Sequence, residues 1–240
     1  MGSMRRMILG LLAALLMLSA TACSVVQKDP NYTPPPPLPP LEQLKQATVV
    51  QPSQPPSEGE PLTFVTKDRN AVCAITESKG EHVNVPYEDN DFGNSANNKY
   101  PTVPVVQCEF AVYPQVKTSD VKDDCSGTGF GYLGGIITLA PTAVRYGNCR
   151  AGATAMENEF GPKGTRNGEI SQLETLEDGT AVERNGLRCT VYNNGVACGN
   201  LSAGVGFFVS RTEYQLLAPD AKAGKTTKSS PSSTPVPTSK

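Results

Sequence analysis

The chain has 240 residues, of which 38% are hydrophobic and 18% charged, with a net charge of −2. That balance excludes the basic face on which nucleic-acid binding depends, and no apolar run reaches the ~20 residues of a membrane-spanning helix. With an N-terminal leader, a proline-rich stretch and a polar tail set aside, residues 62–217 remain, enough for one domain with one core.

The leader comes first. Arg5 and Arg6 precede the apolar run Met7–Leu18, and small residues lead to Ala22 and then Cys23. This is the pattern of an export signal over residues 1–22. Ala20-Thr21-Ala22-Cys23 resembles a bacterial lipobox, with Ala20 where Leu is commoner. The resemblance implies that Cys23 is acylated and becomes the mature N-terminus, tethering the chain to the extracytoplasmic face of the cell membrane. Ordinary secretion with cleavage after Ala22 is the alternative. The other six cysteines are Cys73, Cys108, Cys125, Cys149, Cys189 and Cys198. An even number in an exported chain reads as three disulfides. A metal site would need Cys-x-x-Cys pairs or histidine partners. There are no such pairs and His82 is the only histidine, so neither a metal nor a cofactor is expected.

Residues 23–61 read as a lipidated start followed by a tether. Eleven of the 21 prolines fall between Pro30 and Pro61, and such density disfavours sheet ladders and favours extended polyproline II. Only Leu41–Gln46 has the makings of a helical turn. Beyond it, β-rich runs recur at Leu62–Lys67, Ala71–Thr76, Val103–Tyr113, Gly135–Leu139, Leu187–Tyr192 and Val205–Ser210. Turn-forming clusters such as Asp89–Asn98 and Gly161–Gly168 separate them, and Ala153–Phe160 is the best helix candidate. This spacing predicts a mainly β domain, an antiparallel sandwich or barrel with one or two short helices and three disulfides. Residues 218–240, rich in Ser, Thr, Lys and Pro, have the composition of a disordered tail.

The end of the domain is the most legible part. Asn193-Asn194 separates two β-rich runs, and Asn tolerates the left-handed backbone of a two-residue hairpin turn. That turn sets Tyr192 opposite Gly195 and Cys189 opposite Cys198, in a non-hydrogen-bonded pair about 4.5 Å apart at Cα, which suits a disulfide. A turn at Asn194-Gly195 would instead set Val191 opposite Cys198. Sequence proximity suggests Cys73–Cys108 and Cys125–Cys149 as the other bridges. Ser210-Arg211-Thr212-Glu213 fits a capping box and predicts a short closing helix. Gly186-x-x-Cys189, Gly195-Val196-x-Cys198-x-Asn200 and Gly204-x-Gly206-Phe207-Phe208-Val209-Ser210-Arg211-x-x-Tyr214 resemble the ending of a group of exported actinobacterial proteins, many of them lipoproteins. Asn70-Ala71-Val72-Cys73 and Gln107-Cys108-Glu109-Phe110 resemble that group's earlier cysteine segments. The resemblance implies export and disulfides but no activity.

Several motifs suggest chemistry that their surroundings do not support. Gly129-Phe130-Gly131-Tyr132-Leu133-Gly134 is a literal G-x-G-x-x-G, but Gly135–Leu139 after it reads as strand, whereas a dinucleotide site needs a helix there. A Gly-rich turn or bulge is the expected structure. Ser126-Gly127-Thr128-Gly129-Phe130 has a superficial likeness to an early segment of trypsin-like proteases, yet no histidine follows to act as base. Asp89–Asn94 fails the EF-hand template at positions six and twelve. Glu157/Glu159 and Glu174/Glu177/Asp178 are read as surface charge rather than paired catalytic acids. The expectation is a non-catalytic envelope lipoprotein that binds an extracytoplasmic protein, lipid or polymer, with a lipid or small-molecule carrier and an envelope hydrolase as alternatives.

Overall fold

A computed structural model describes residues 38–217 except 58 and 80–100. The leader, Cys23, the Pro34–Pro37 run, His82, the Asp89–Asn94 segment and the tail lie outside the described residues.

The folded unit begins at Leu38, not at residue 62. Helix α1 (Pro40–Gln46) starts with Pro40 in its first turn, where a missing N–H breaks no helical bond. Its Leu44 is fully buried and packs with Ala197 and Phe208. Strand β1 (Thr48–Val49) then joins a sheet. The helical turn expected over Leu41–Gln46 is present within α1, but the proline density around it concealed that it packs into the domain instead of extending a tether.

Two six-stranded sheets follow, and neither closes into a barrel. The first runs in the order β1, β8 (Thr180–Arg184), β9 (Leu187–Tyr192), β10 (Gly195–Asn200), β11 (Val205–Ser210) and β12 (Tyr214–Leu217). The second runs β6 (Ala143–Arg150), β5 (Gly131–Ala140), β4 (Thr102–Phe110), β3 (Ala71–Lys79), β2 (Leu62–Thr66) and β7 (Thr175–Leu176). Pairing is antiparallel except at one edge of each sheet, where β1 lies parallel to β8 and β7 parallel to β2. A short helix α2 (Ala155–Phe160) is started by a capping box, Thr154 with Glu157, close to the helix expected over residues 153–160.

One core fills the space between the sheets. Phe64, Ile75, Phe110 and Leu139 of the second sheet share it with Leu187, Val196, Phe207 and Val209 of the first. Each such side chain contributes about 1.5–3 kcal/mol by leaving water. In β11 every residue is buried, because α1 covers the outer face that alternation would otherwise leave wet. Gly206 permits that approach, since a Cβ there would lie 3.0 Å from Leu41 Cδ2 and 2.6 Å from a backbone oxygen.

All three disulfides pair as the sequence suggested. Cys73–Cys108 and Cys189–Cys198 each join directly opposed residues of neighbouring strands, with Cα atoms 4.1 Å apart. Asn193 and Asn194 both have positive φ, 49° and 55°, and Tyr192 faces Gly195, which settles the turn in favour of Asn193-Asn194. Cys125–Cys149 ties the loop before β5 to β6. The sulfurs of Cys73, Cys108 and Cys198 lie within 4.8 Å of one another, so one bridge from each sheet meets the other inside the core.

The closing helix is corrected to a strand. Ser210 Oγ does accept from the Glu213 N–H at 3.2 Å, the bond a helix cap would make. But the Ser210 N–H donates to the Glu213 carbonyl at 2.9 Å, closing a hairpin turn, and Tyr214–Leu217 then pairs with β11. The local bond is the same in both structures, and only the pairing partner distinguishes them.

Candidate functional site: a cleft beneath a proline strap

The edge where β1 and β8 of one sheet approach β2 and β7 of the other is bridged by residues 51–61, which run from β1 to β2. This strap carries Pro52, Pro55, Pro56 and Pro61, and its described residues are all exposed or half-buried. Its ties are few. The Ser53 N–H donates to the two Glu174 carboxylate oxygens at 2.9 and 3.1 Å, and Ser53 Oγ donates at 2.9 Å. Arg184 donates to the Glu60 carbonyl, and Glu60 accepts from the Ser57 N–H at 3.0 Å.

Two chambers lie under the strap. One, of about 220 Å³, has Val50, Leu62, Phe64, Leu176 and Val182 in its walls, with Thr63, Thr175 and Thr180 among its hydroxyls. The other, of about 440 Å³, is lined by the strap itself together with Gln172 and Glu174. Pro52, Leu62, Thr63 and Glu174 line both, so they form the partition. Leu62, Phe64, Leu176 and Val182 also belong to the central core, which makes the first chamber an opening into the sandwich.

The opposite edge, where β6 meets β12, is sealed. The rings of Tyr146 and Tyr214 lie 4.2 Å apart. Tyr146 OH donates to the Pro114 carbonyl at 2.6 Å and accepts from the Gly135 N–H at 3.4 Å. Tyr214 OH donates to Asp120 and accepts from the Lys117 N–H at 2.8 Å. Burial pushes both phenols well above the usual tyrosine range. Gly135 is needed here, since its φ is +87° and a Cβ would sit 2.6 Å from the Tyr113 ring.

Beside this edge lies the polar cluster with the most catalytic appearance, Glu109, Tyr113, Arg150 and Glu157. Arg150 pairs with Glu157 at 3.0 Å and donates to Tyr113 OH at 2.8 Å and to the Gly134 carbonyl at 3.0 Å. Tyr113 OH donates to Glu157 at 2.8 Å. Burial raises the Glu109 carboxyl, against the Met156 and Ala155 N–H groups and Arg150, which lower it. Burial and the bond to Glu157 likewise raise Tyr113. Both carboxylates are engaged by backbone. Glu157 accepts from the Thr154 N–H at 2.8 Å within the capping box, and Glu109 accepts from the Met156 N–H at 3.3 Å. The cluster fastens α2 to β4 and β6.

Other sequence candidates resolve as follows. Gly131 opens strand β5, and the register shifts between Leu133 and Ile137, so the G-x-G-x-x-G leads into a bulged strand, as expected. Ser126 lies exposed in the loop before it. Of the acids Glu157/Glu159 and Glu174/Glu177/Asp178, expected as surface charge, Asp178 is exposed but not all of the others behave so. Glu159 is buried and accepts from the Ile170 and Ser171 N–H groups at 3.2 and 2.6 Å, while Glu174 holds the strap. Glu177, by contrast, makes an exposed pair with Lys67 at 3.2 Å. The six cysteines are consumed in disulfides, so the sulfurs gathered in the core offer no thiolate to a metal. Sequence reading missed the strap cleft, because its walls come from segments 121 residues apart, as Ser53 and Glu174 are. Compared with protein-family models, with curated proteins and with solved structures, this chain finds no match.

Proposed function

We propose that this protein is a cell-envelope lipoprotein, anchored at Cys23, whose β-domain acts as a non-catalytic binding module through the cleft beneath the strap. The observation that carries this reading is the apolar chamber open to the core at the one edge closed by backbone and exposed ties. A chamber of about 220 Å³ falls below the ~300–1,000 Å³ typical of pockets that enclose a whole small molecule. It suits a module that grips part of a ligand better than a carrier that engulfs one. The Glu109–Glu157 pair, the best hydrolase candidate, spends its oxygens on helix capping and on Arg150, which favours binding over hydrolysis.

The early start of the fold changes the geometry of anchoring. From Cys23 to Leu38 there are only 15 residue steps, a reach of at most ~50 Å. The domain would therefore work close to the membrane rather than on a long stalk. The resemblance to exported actinobacterial lipoproteins supports the same address.

Native mass spectrometry of the chain purified from the envelope tests the reading. A co-purifying ligand should remain bound to the wild type and be lost from Thr63→Trp, which fills the partition between the chambers. Equal retention by both proteins, or none in either, counts against the cleft. Radiolabelled palmitate should mark the wild type and not Cys23→Ala.

A further inference from the structure

The three disulfides differ in what surrounds them. Cys73, Cys108, Cys189 and Cys198 are fully buried in the core. Around Cys125–Cys149 the chain is open: residues 121–130 are all exposed except Cys125, and Cys149 is half-buried. Among the described residues, the hydrogen bonds of this loop run to its own groups. The Cys125 N–H donates to Asp123 at 2.8 Å, the Ser126 N–H to Asp124 at 3.0 Å, and Thr128 Oγ1 to the Cys125 carbonyl at 2.6 Å. The bridge is therefore what ties the loop to β6. Its far end falls on a separable piece of ladder. Gly131, Tyr132 and Leu133 pair with Arg150, Cys149 and Asn148, and the register shift after Leu133 parts these pairs from the run that begins at Ile137. Arg150, bonded to the Gly134 carbonyl and paired with Glu157, holds the end of β6 independently of the bridge.

We propose that Cys125–Cys149 is a redox latch, opened in the folded protein by a dithiol reductant while the two core bridges stay closed. One thiolate of the reductant attacks Cys149 Sγ, the half-buried partner, and the Cys125–Cys149 bond breaks. Cys125 leaves as a thiolate and takes up a proton. The second thiol of the reductant loses its proton and attacks the mixed disulfide, so that Cys149 departs as a thiolate, is protonated, and the reductant becomes a disulfide. Two electrons pass to the protein. The core bridges are spared because a thiol reaches their sulfurs only if the sheets part. Backbone strain favours the open form. Cys125 has φ 57°, in the left-handed region that costs a residue with a side chain conformational energy, and an open bridge lets it leave that region. The charge beside the bridge sets its rate. A carboxylate oxygen of Asp123 lies within 4.8 Å of both sulfurs, where it repels an incoming thiolate and disfavours the departing one. Opening frees the loop that carries the exposed side chains of Val121 and Phe130, so the latch decides whether they are presented in a fixed arrangement or on a free chain.

The test uses the full exported chain carrying Cys23→Ser, so that only the paired cysteines remain. The folded protein is incubated with dithiothreitol without denaturant, quenched with iodoacetamide and mapped by peptide mass spectrometry. Cys125 and Cys149 should be alkylated together, roughly tenfold or more ahead of the other four cysteines. In the protein reduced at that bridge alone, the amides of Gly131–Leu133 should exchange faster while those of Lys117 and Gly135 keep their protection. Cys125→Ser/Cys149→Ser should stay folded, with native amide resonances outside the loop and the outer ladder. Asp123→Asn keeps an acceptor for the Cys125 N–H and should open several-fold faster. Loss of all three bridges at one rate overturns the latch, as does collapse of the Lys117 and Gly135 protection with the first bridge, or unfolding of the double variant. An unchanged opening rate in Asp123→Asn overturns the role of the carboxylate.

Discussion

The two lateral edges of this sandwich are closed by different chemistry. At the β6/β12 edge, two tilted, packed tyrosines turn their hydroxyls onto backbone groups and a carboxylate, and Gly135, whose N–H bonds one of them, lies against the Tyr113 ring with no room for a Cβ. At the β1/β7 edge, a proline strap lies across an apolar opening and is held by Ser53, Glu174 and Arg184, all exposed or half-buried. Buried aromatic closure combines area burial with hydrogen bonds whose loss leaves groups unsatisfied. Hydrogen bonds and charges at the surface compete with water and contribute little. The comparison teaches that a core of this kind can be sealed on one side and left openable on the other with no change in the sheets themselves.

The largest effect should come from breaking the sealed edge. Tyr146 is fully buried, and Tyr146→Ala should cost about 3–5 kcal/mol, read from denaturant melts. Next come the disulfides that anchor both sheets between the edges. The Cys73–Cys108 bridge spans 35 residues of sequence and Cys189–Cys198 spans 9. Chain entropy alone favours the longer loop by roughly 1 kcal/mol. The hairpin bridge, however, also fixes the register that carries Phe207 and Phe208 to opposite faces of β11. Cys189→Ser/Cys198→Ser should therefore destabilise at least as much as Cys73→Ser/Cys108→Ser. A hairpin mutant that unfolds clearly later would show that loop entropy dominates.

A smaller, pH-dependent effect probes the polar layer behind the sealed edge. The folded-state pKa of Glu109 is raised by burial. Its favourable contribution is thus complete below the unfolded pKa and lost as pH rises through the folded value. Glu109→Gln carries no charge to desolvate and can still accept from the Met156 N–H. Relative to wild type it should gain stability from pH 4 to pH 7, seen in melts across that range. A variant that loses ground with rising pH would contradict this assignment. The smallest effect belongs to the strap, where Ser53→Ala should cost less than about 1 kcal/mol. A loss comparable to that of Tyr146→Ala would erase the contrast between the edges.

How much of this was legible varied by element. The Asn193-Asn194 hairpin could be read to the residue, since turn, register and disulfide all depend on neighbours in sequence. Strand β6 escaped notice because Arg145, Gly147, Asn148 and Arg150 interrupt its apolar alternation, and because its partners are an opposed strand and a tyrosine from another sheet. Strand β12 was mistaken for a helix because Ser210 makes the same bond to Glu213 in either structure. The helical turn over Leu41–Gln46 was legible, but prolines masked β1 and the docking of α1, whose places depend on β8 and Phe208 far along the chain. The cleft was illegible for a similar reason, since Leu62, Phe64, Leu176 and Val182 are buried like ordinary core positions, and the chamber they line forms only where strap and strands from distant segments meet.

Native-state amide hydrogen exchange tests the asymmetry of the edges most directly. The Ser53 N–H, bonded to Glu174, should exchange through local opening of the strap, at a free energy well below that of global unfolding. The Lys117 N–H, bonded to Tyr214 OH, and the Gly135 N–H, bonded to Tyr146 OH, should exchange only with global unfolding. Equal protection at Ser53 and at these two sealed-edge amides would contradict the account.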